Sequence, residues 1–344
     1  MRSLAAIGMI LCLSCAGVAE QGSGGSENRD PGGGAAAKVE LTVYSGRGES
    51  MVGPLFERIP DDAPFTVAVQ YGNTAEMVTR LLAEGDQSPA DVILAQDSGH
   101  LGVLATKGSL APLPQALLST VDPNFRDEGG TWVGTSGRLR VLVYDSAHVT
   151  EEQLPQSLED LGHPRWKGKL GWSPTNSSMH AHVSALRHLW GEEKTRAWLQ
   201  AVEANGAVRY PKNSPQVAAA NDGAIAIGWV NHYYLHRLAK EGRKARNYSF
   251  PGADNPGNLL MVSGVGIRRN SPHQAAAEAF VEWLLSEEAQ TYFAQEGFEY
   301  PTRGDIPTHP DVAPVTMEQL AKVPQASLAD LGSTRAMLTE LGLL

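Results

Sequence analysis

The chain has 344 residues, 42% of them hydrophobic, and a formal net charge of −10. That is enough apolar material for about two ordinary domains with their own cores. The acidic balance excludes a nucleic-acid partner, which needs a basic face for its phosphates, and beyond the N-terminal segment no apolar run reaches the roughly 20 residues of a membrane-spanning helix.

The N-terminus opens with the positive charge of Arg2 and an apolar core from Leu4 to Leu13, of signal-peptide length. Both cysteines, Cys12 and Cys15, lie here. Cys15 follows Leu13-Ser14 and precedes Ala16-Gly17, which resembles a bacterial lipoprotein cleavage box with Cys12 in place of its leading leucine. The expectation is a signal peptide over 1–15 with Cys15 lipidated; the alternative is a secretory signal cut near Val18-Ala19. Residues 16–38 are Gly, Ser, Ala and a few charges, a flexible tether. The ordered part has no cysteine, so disulfides and thiolate metal sites are excluded there.

Order begins with the alternating strand Val39 to Tyr44, which runs through Ser45-Gly46-Arg47-Gly48-Glu49 into a helix from Met51 to Arg58. Phe65 to Val69 and Ala90 to Ala95 repeat the pattern, each strand ending in a polar, Gly-containing cluster, the latter in Gln96-Asp97-Ser98-Gly99. Strand, loop and helix recurring in this way predict a parallel sheet with helical crossovers, and ligands of such sheets bind outside the carboxyl ends of the strands. Gly137 to Asp145 is an apolar strand with two arginines, Arg138 and Arg140, near its start. Ser173 to Ser178 opens a helix running from Met179 to Trp190, and Lys212-Asn213-Ser214-Pro215 opens another. Gly223 to Gly228 reads as a buried strand and Asn231 as the N-cap of a helix that starts with Tyr233-Tyr234. Leu259 to Ile267 is strand-like, and Ala275 to Ala294 reads as one long amphipathic helix.

The paired phenols are the candidate chemistry. Adjacent helical residues point about 100° apart, but in a first turn both can lean forward into open space. A helix N-terminus favours an anion, and a free phenol ionises only near pH 10, so a hard trivalent cation is the partner that would hold phenolates at neutral pH. The plain alternative is two tyrosines packed at an interface. Asn176, Ser177 and Ser178 at a helix start form a natural anion seat, though Ser and Asn are also ordinary caps. Asn213 has the same double character. Arg47 and Arg138 follow strand ends where they can face a cleft.

Several segments, in order from Val39 to Gly304, resemble the ferric-iron-binding proteins of bacterial ABC importers. They are Val43-Tyr44-Ser45-Gly46-Arg47, Ser136-Gly137-Arg138, Trp166-Lys167-Gly168-Lys169, Asn231-His232-Tyr233-Tyr234 and Glu299-Tyr300-Pro301. The resemblance implies an α/β, two-lobed periplasmic-binding-protein fold of type II. Each lobe would be a mainly parallel sheet flanked by helices, with 39–138 plus 261–310 in one lobe, 139–260 plus 311–344 in the other, and a hinge of crossover strands near Arg138 and Leu259. It implies Tyr233 and Tyr234 as Fe(3+) ligands, with Asn176, Ser177, Ser178, Asn213 and Asn231 around a phosphate or carbonate. Two departures stand out: Gly48 where relatives carry a histidine ligand, with Glu49 next to it, and Gln96 where they carry a glutamate. Exogenous anions, water, Glu49, Asp97, His180 or His182 would have to fill the shell.

The expected function is therefore an extracytoplasmic solute-binding protein, periplasmic or at the cell surface, monomeric and lipid-anchored, that delivers iron to an importer permease and its ATPase. The alternative is the same scaffold holding a small anionic organic solute such as a phosphonate or sugar phosphate. No G-x-S-x-G elbow and no zincin histidine pair suggests an enzyme.

Overall fold

The computed structural model describes residues 37–344 except Ala239, so the signal segment, Cys15 and the linker as far as Ala36 lie outside the described residues. In chain order the strands are β1 (Val39–Ser45), β2 (Phe65–Tyr71), β3 (Val92–Ala95), β4 (Trp132–Asp145), β5 (Leu170–Trp172), β6 (Val208–Arg209), β7 (Ile227–Asn231), β8 (Ala245–Tyr248) and β9 (Leu260–Ile267). Between β1 and β4 run α1 (Glu49–Phe56), α2 (Thr74–Glu84), α3 (Ser98–Thr106) and the short α4 (Gln115–Leu118). Then come α5 (Ser177–Trp190), α6 (Glu192–Ala204), α7 (Asn213–Asn221) and α8 (Tyr233–His236), and after β9 come α9 (Gln274–Leu284), α10 (Glu287–Gln295) and α11 (Leu331–Glu340).

Helix starts follow local chemistry. Asn73 closes a capping box on α2: its side chain accepts from Glu76 N–H at 2.9 Å and Glu76 returns the bond at 3.3 Å. The single late helix expected from Ala275 to Ala294 is broken in two. Ser286 is the reason, because its hydroxyl caps the second piece by accepting from Ala289 N–H, and Glu287 and Glu288 fill the first turn.

The strands join in the order β2-β1-β3-β9-β4-β7-β5-β6, with β8 also on β4. The outer pairs β1–β2, β1–β3, β5–β6 and β5–β7 are parallel, as the strand-helix alternation predicted. The central pairs are antiparallel, so each half of the sheet is mixed where it meets the other. The long β4 belongs to both halves. From Trp132 to Leu139 it pairs with β9, and from Arg140 onward with β7 and β8. Its residues alternate faces: Val141 and Val143 join one apolar cluster with Val217 and Val230, whereas Leu142 and Tyr144 join another with Trp172, Trp198 and Trp229.

A third cluster lies where the halves meet, built from Leu259 and Met261 beside Ala181, Ala185 and Leu328. Gly99 makes this approach possible, since a Cβ there would stand 2.5 Å from the Leu328 carbonyl oxygen. Downstream, α11 packs on α5 and places Met337 and Leu338 in the second cluster. No helix among the described residues is long and apolar enough to cross a membrane.

Arg47 and Glu299 form a buried ion pair at 2.8 Å, with side chains 1% and 0% exposed. Burial works to raise the Glu299 pKa, but Arg47 and Arg138 outweigh it and leave it lowered. Glu299→Gln should cost about 3–5 kcal/mol in urea denaturation by leaving a buried guanidinium unpaired. Glu296→Gln, which breaks the surface pair with Arg58, should cost less than about 1 kcal/mol. His182 supplies a second test. Burial first and Arg140 second push its pKa down to about 3, so below about pH 6.5 the unfolded chain takes up a proton that the folded chain refuses. Stability should therefore fall by about 1.4 kcal/mol per pH unit on this account between pH 6.5 and 4. The wild-type melting temperature should drop more steeply over that range than that of His182→Phe.

Candidate metal and anion site

The tyrosine pair follows β7 directly. The strand expected over Gly223 to Gly228 instead runs from Ile227 to Asn231, because Trp229, Val230 and Asn231 pair with Leu142, Val141 and Arg140 of β4. Asn231 is consequently not a helix cap. It is fully buried, its amide donates to Ser178 Oγ at 3.0 Å, and its Oδ1 accepts from Arg140 at 3.1 Å. The helix behind it is one turn long, too short to accumulate a dipole that would favour phenolate. Burial instead raises the pKa of the Tyr233 phenol, with Tyr234 adding to the rise and Arg138 opposing it. In the metal-free protein this group is a phenol.

The two rings do share one place. Their centroids are 4.3 Å apart and their planes 30° from parallel. The Arg237 guanidinium lies 4.9 Å from the Tyr233 ring centre and 5.9 Å from that of Tyr234, a cation–π arrangement that braces both from one side. Tyr233 is buried and Tyr234 half-buried, so one side of the pair is open.

Opposite them runs the crossover strand with its arginines. Arg138 donates to the carbonyl of Gln96. Arg140 donates to Asn231 Oδ1 and, at 2.9 Å, to the Trp229 carbonyl, and its guanidinium lies 5.0 Å from the Trp229 ring centre. None of these partners is a carboxylate, and its Nε has no partner at all. Burial pulls the Arg140 pKa down to about 9, countered by both phenols, and the group stays charged at neutral pH. Arg140 was not among the site candidates. The signal was present, because two arginines at alternate positions of an apolar strand must share one face.

Other candidates take structural work. Arg47 does not offer a free charge to a cleft; it is buried against Glu299 and also donates to Ser136 Oγ at 2.8 Å. Glu49 is exposed and stands near Tyr71, whose phenol pKa rises through burial and then through this carboxylate. Gln96 uses its backbone: N–H to Thr74 Oγ1 at 3.1 Å, and carbonyl from Arg138 and from Ser263 Oγ. Asp97 caps α3 and accepts from the His100 ring at 2.8 Å. His180 and His182 point Nε2 at the carbonyls of Pro174 and Pro256. Bonded in this way, neither ring presents that nitrogen to a metal.

The Asn176 segment opens α5 as the sequence predicted. Asn176 Oδ1 accepts from Ser178 N–H at 2.9 Å, Ser177 is exposed, and Ser178 is tied to Asn231. Asn213 begins α7, which packs on α8; it is buried, and its Nδ2 has no partner. Among the described residues no group of three His, Cys, Asp or Glu gathers that could hold a metal. Any metal held here would therefore depend on phenol oxygens. A side chain at position 48 would meet open space, with nothing within 4 Å of its Cβ.

Residues 87–324 match the family described as bacterial extracellular solute-binding protein. The Fe(3+)-binding periplasmic protein of Serratia marcescens is 33% identical over 317 residues, which is 90% of this chain and 92% of that one. The iron-bound HitA of Pseudomonas aeruginosa has 31% identity and a TM-score of 0.81, covering 89% of this chain and 100% of its own. The Trichodesmium protein solved with iron and citrate ligands has 25% identity and a TM-score of 0.78, covering 89% of this chain and all of its own. The type II periplasmic-binding-protein fold expected from the sequence is the one these structures share. The match over most of the chain and a relative this similar over nine-tenths of it show that the chain belongs to the bacterial extracellular solute-binding protein family.

Proposed function

We propose that this protein captures ferric iron between two lobes and hands it to an ABC importer. The lobes are 39–138 with 261–310 and 139–260 with 311–344, hinged where β4 and β9 cross. The observation that carries the reading is the closely packed pair Tyr233 and Tyr234 within electrostatic reach of Arg140, a buried guanidinium that lacks a carboxylate. Fe(3+) replaces the phenol protons, and the phenolates then offset the positive charge of the strand. Asn176, Ser177, Ser178, Asn213 and Asn231 line an anion seat for phosphate, carbonate or a carboxylate chelate, in keeping with the relative solved with iron and citrate. The relatives named as periplasmic support an extracytoplasmic location, with Cys15 as the lipid anchor. The reading as a phosphonate or sugar-phosphate receptor has support only from weaker, more distant relatives.

Titrating metal-stripped protein with ferric citrate should produce a visible phenolate-to-iron absorption band. Tyr233→Phe and Tyr234→Phe should each weaken binding by at least about tenfold, the lower bound for disturbing a metal shell, and should shift or abolish the band. A colourless titration with no thermal stabilisation would sink the proposal. Because the Tyr233 proton must leave and its pKa is raised, affinity should rise with pH and fall as the solution is acidified through the neutral range. Gly48→His adds a donor where the backbone is ordinary, at φ −63°, and space is free. It should tighten binding by about tenfold or more in competition with citrate.

A further inference from the structure

We propose that His232 positions the tyrosine pair: its imidazole straps the tyrosine turn of one lobe to the Phe298–Tyr300 turn of the other at the hinge, and so sets both the seat of Tyr233 and how far the lobes open. The role attributed to Tyr233 rests on the ferric-binding reading; the strap itself does not.

β4 changes partners between Leu139, which pairs with Leu260, and Arg140, which pairs with Asn231. At that switch the Leu139 N–H finds its acceptor in a side chain, His232 Nδ1, at 3.1 Å. The His232 N–H donates in turn to the Leu139 carbonyl at 3.0 Å. An N–H donor on Nδ1 leaves the proton of the neutral ring on Nε2, and Nε2 donates to the Phe298 carbonyl at 2.7 Å. Geometry therefore fixes the tautomer. His232 is 2% exposed, so neither bond has water to replace it.

The far side of the strap is equally constrained. Phe298 sits at φ +56°, an outlier for a bulky residue, and this turns its carbonyl towards His232. Its ring is held between His236, stacked at 5.0 Å, and His309 at 4.5 Å. The next two residues are anchored as well: Glu299 by Arg47, and Tyr300 by paired backbone bonds with Gly137 of 2.7 and 2.9 Å. The imidazole itself lies between the Tyr300 ring at 4.8 Å and the Tyr233 ring at 5.9 Å. Movement of the 298–300 turn is thereby transmitted to the wall against which Tyr233 rests.

The two nitrogens can be tested separately. Asn places its carbonyl oxygen near the Nδ1 position, so His232→Asn keeps the Leu139 bond and loses the strap. Gln reaches the Nε2 position with an N–H, so His232→Gln keeps the strap. Small-angle scattering of the metal-free full chain should show a larger radius of gyration for His232→Asn than for wild type, with His232→Gln between them or equal to wild type. With ferric citrate, His232→Asn should bind about tenfold more weakly, the scale of one buried hydrogen bond, and shift the phenolate-to-iron band, while His232→Gln restores both. Wild-type scattering and an unshifted band in His232→Asn would overturn the proposal. If that variant does not fold, Phe298→Val leaves His232 in place but puts a β-branched residue where φ is +56°, which such a residue does not hold, so the carbonyl turns away and the same widening should appear; unchanged scattering there overturns it too. If the wild type binds no iron, the function reading fails alone, because the scattering comparison still reads the strap.

Discussion

One strand serving two sheets is the constraint from which the rest follows. β4 must satisfy its backbone with β9 on one side of residue 139 and with β7 and β8 on the other, and a buried strand that changes partners creates polar groups that no ladder can absorb. The protein resolves them with a side chain and a second backbone segment. His232 Nδ1 takes the Leu139 N–H, and the backbone of Tyr300 pairs with that of Gly137 before the switch. Ser136, Arg138 and Arg140 occupy alternate positions across it, so buried polar groups collect where the strand changes partners. The proposed hinge and the proposed site coincide because both fall at this switch.

Burying three guanidiniums there carries a large desolvation cost, and each is offset differently. Arg47 has a carboxylate, Arg138 has the Gln96 carbonyl with Glu299 and Asp97 in electrostatic reach, and Arg140 has only neutral oxygens and an indole face. The ordering matters. The pair whose charge is balanced, Arg47 with Glu299, acts as structure and anchors the 298–300 turn. The guanidinium left without an anion faces the phenols and Asn231, where a ligand's negative charge is of most use.

Much of this was legible in the sequence. The strand-helix alternation, the tyrosine pair, the Asn176 cap and the arginines at 138 and 140 all depend on local spacing, which a sequence states directly. What it did not state depends on contacts between distant segments. Glu299 lies 252 positions from Arg47, so nothing local marked Arg47 as an internal pair. His232 looked like a neighbour of the tyrosines, because its partners Leu139 and Phe298 come from other parts of the chain. The misplaced end of β7 has a similar cause. Trp229-Val230-Asn231 carries no pattern that separates strand from cap, and pairing with β4 decides the matter.

The charge balance then narrows what kind of cargo can rest at this junction. A bare anion would meet Arg140 favourably but would leave the two phenols with packing as their only role. A bare trivalent cation would meet two arginines and be repelled. Only a cation that arrives with, or recruits, its own anions satisfies both sets of groups: phenolates on the metal, and the accompanying anion against the guanidinium and the α5 cap. Gly48 and Gln96 supply no acidic or imidazole donor, so under the ferric reading more of the metal's shell would come from that anion. For the proposed ferric cargo, the electrostatics of the crossover strand favour an anion complex, with Arg140 placed to meet the anion.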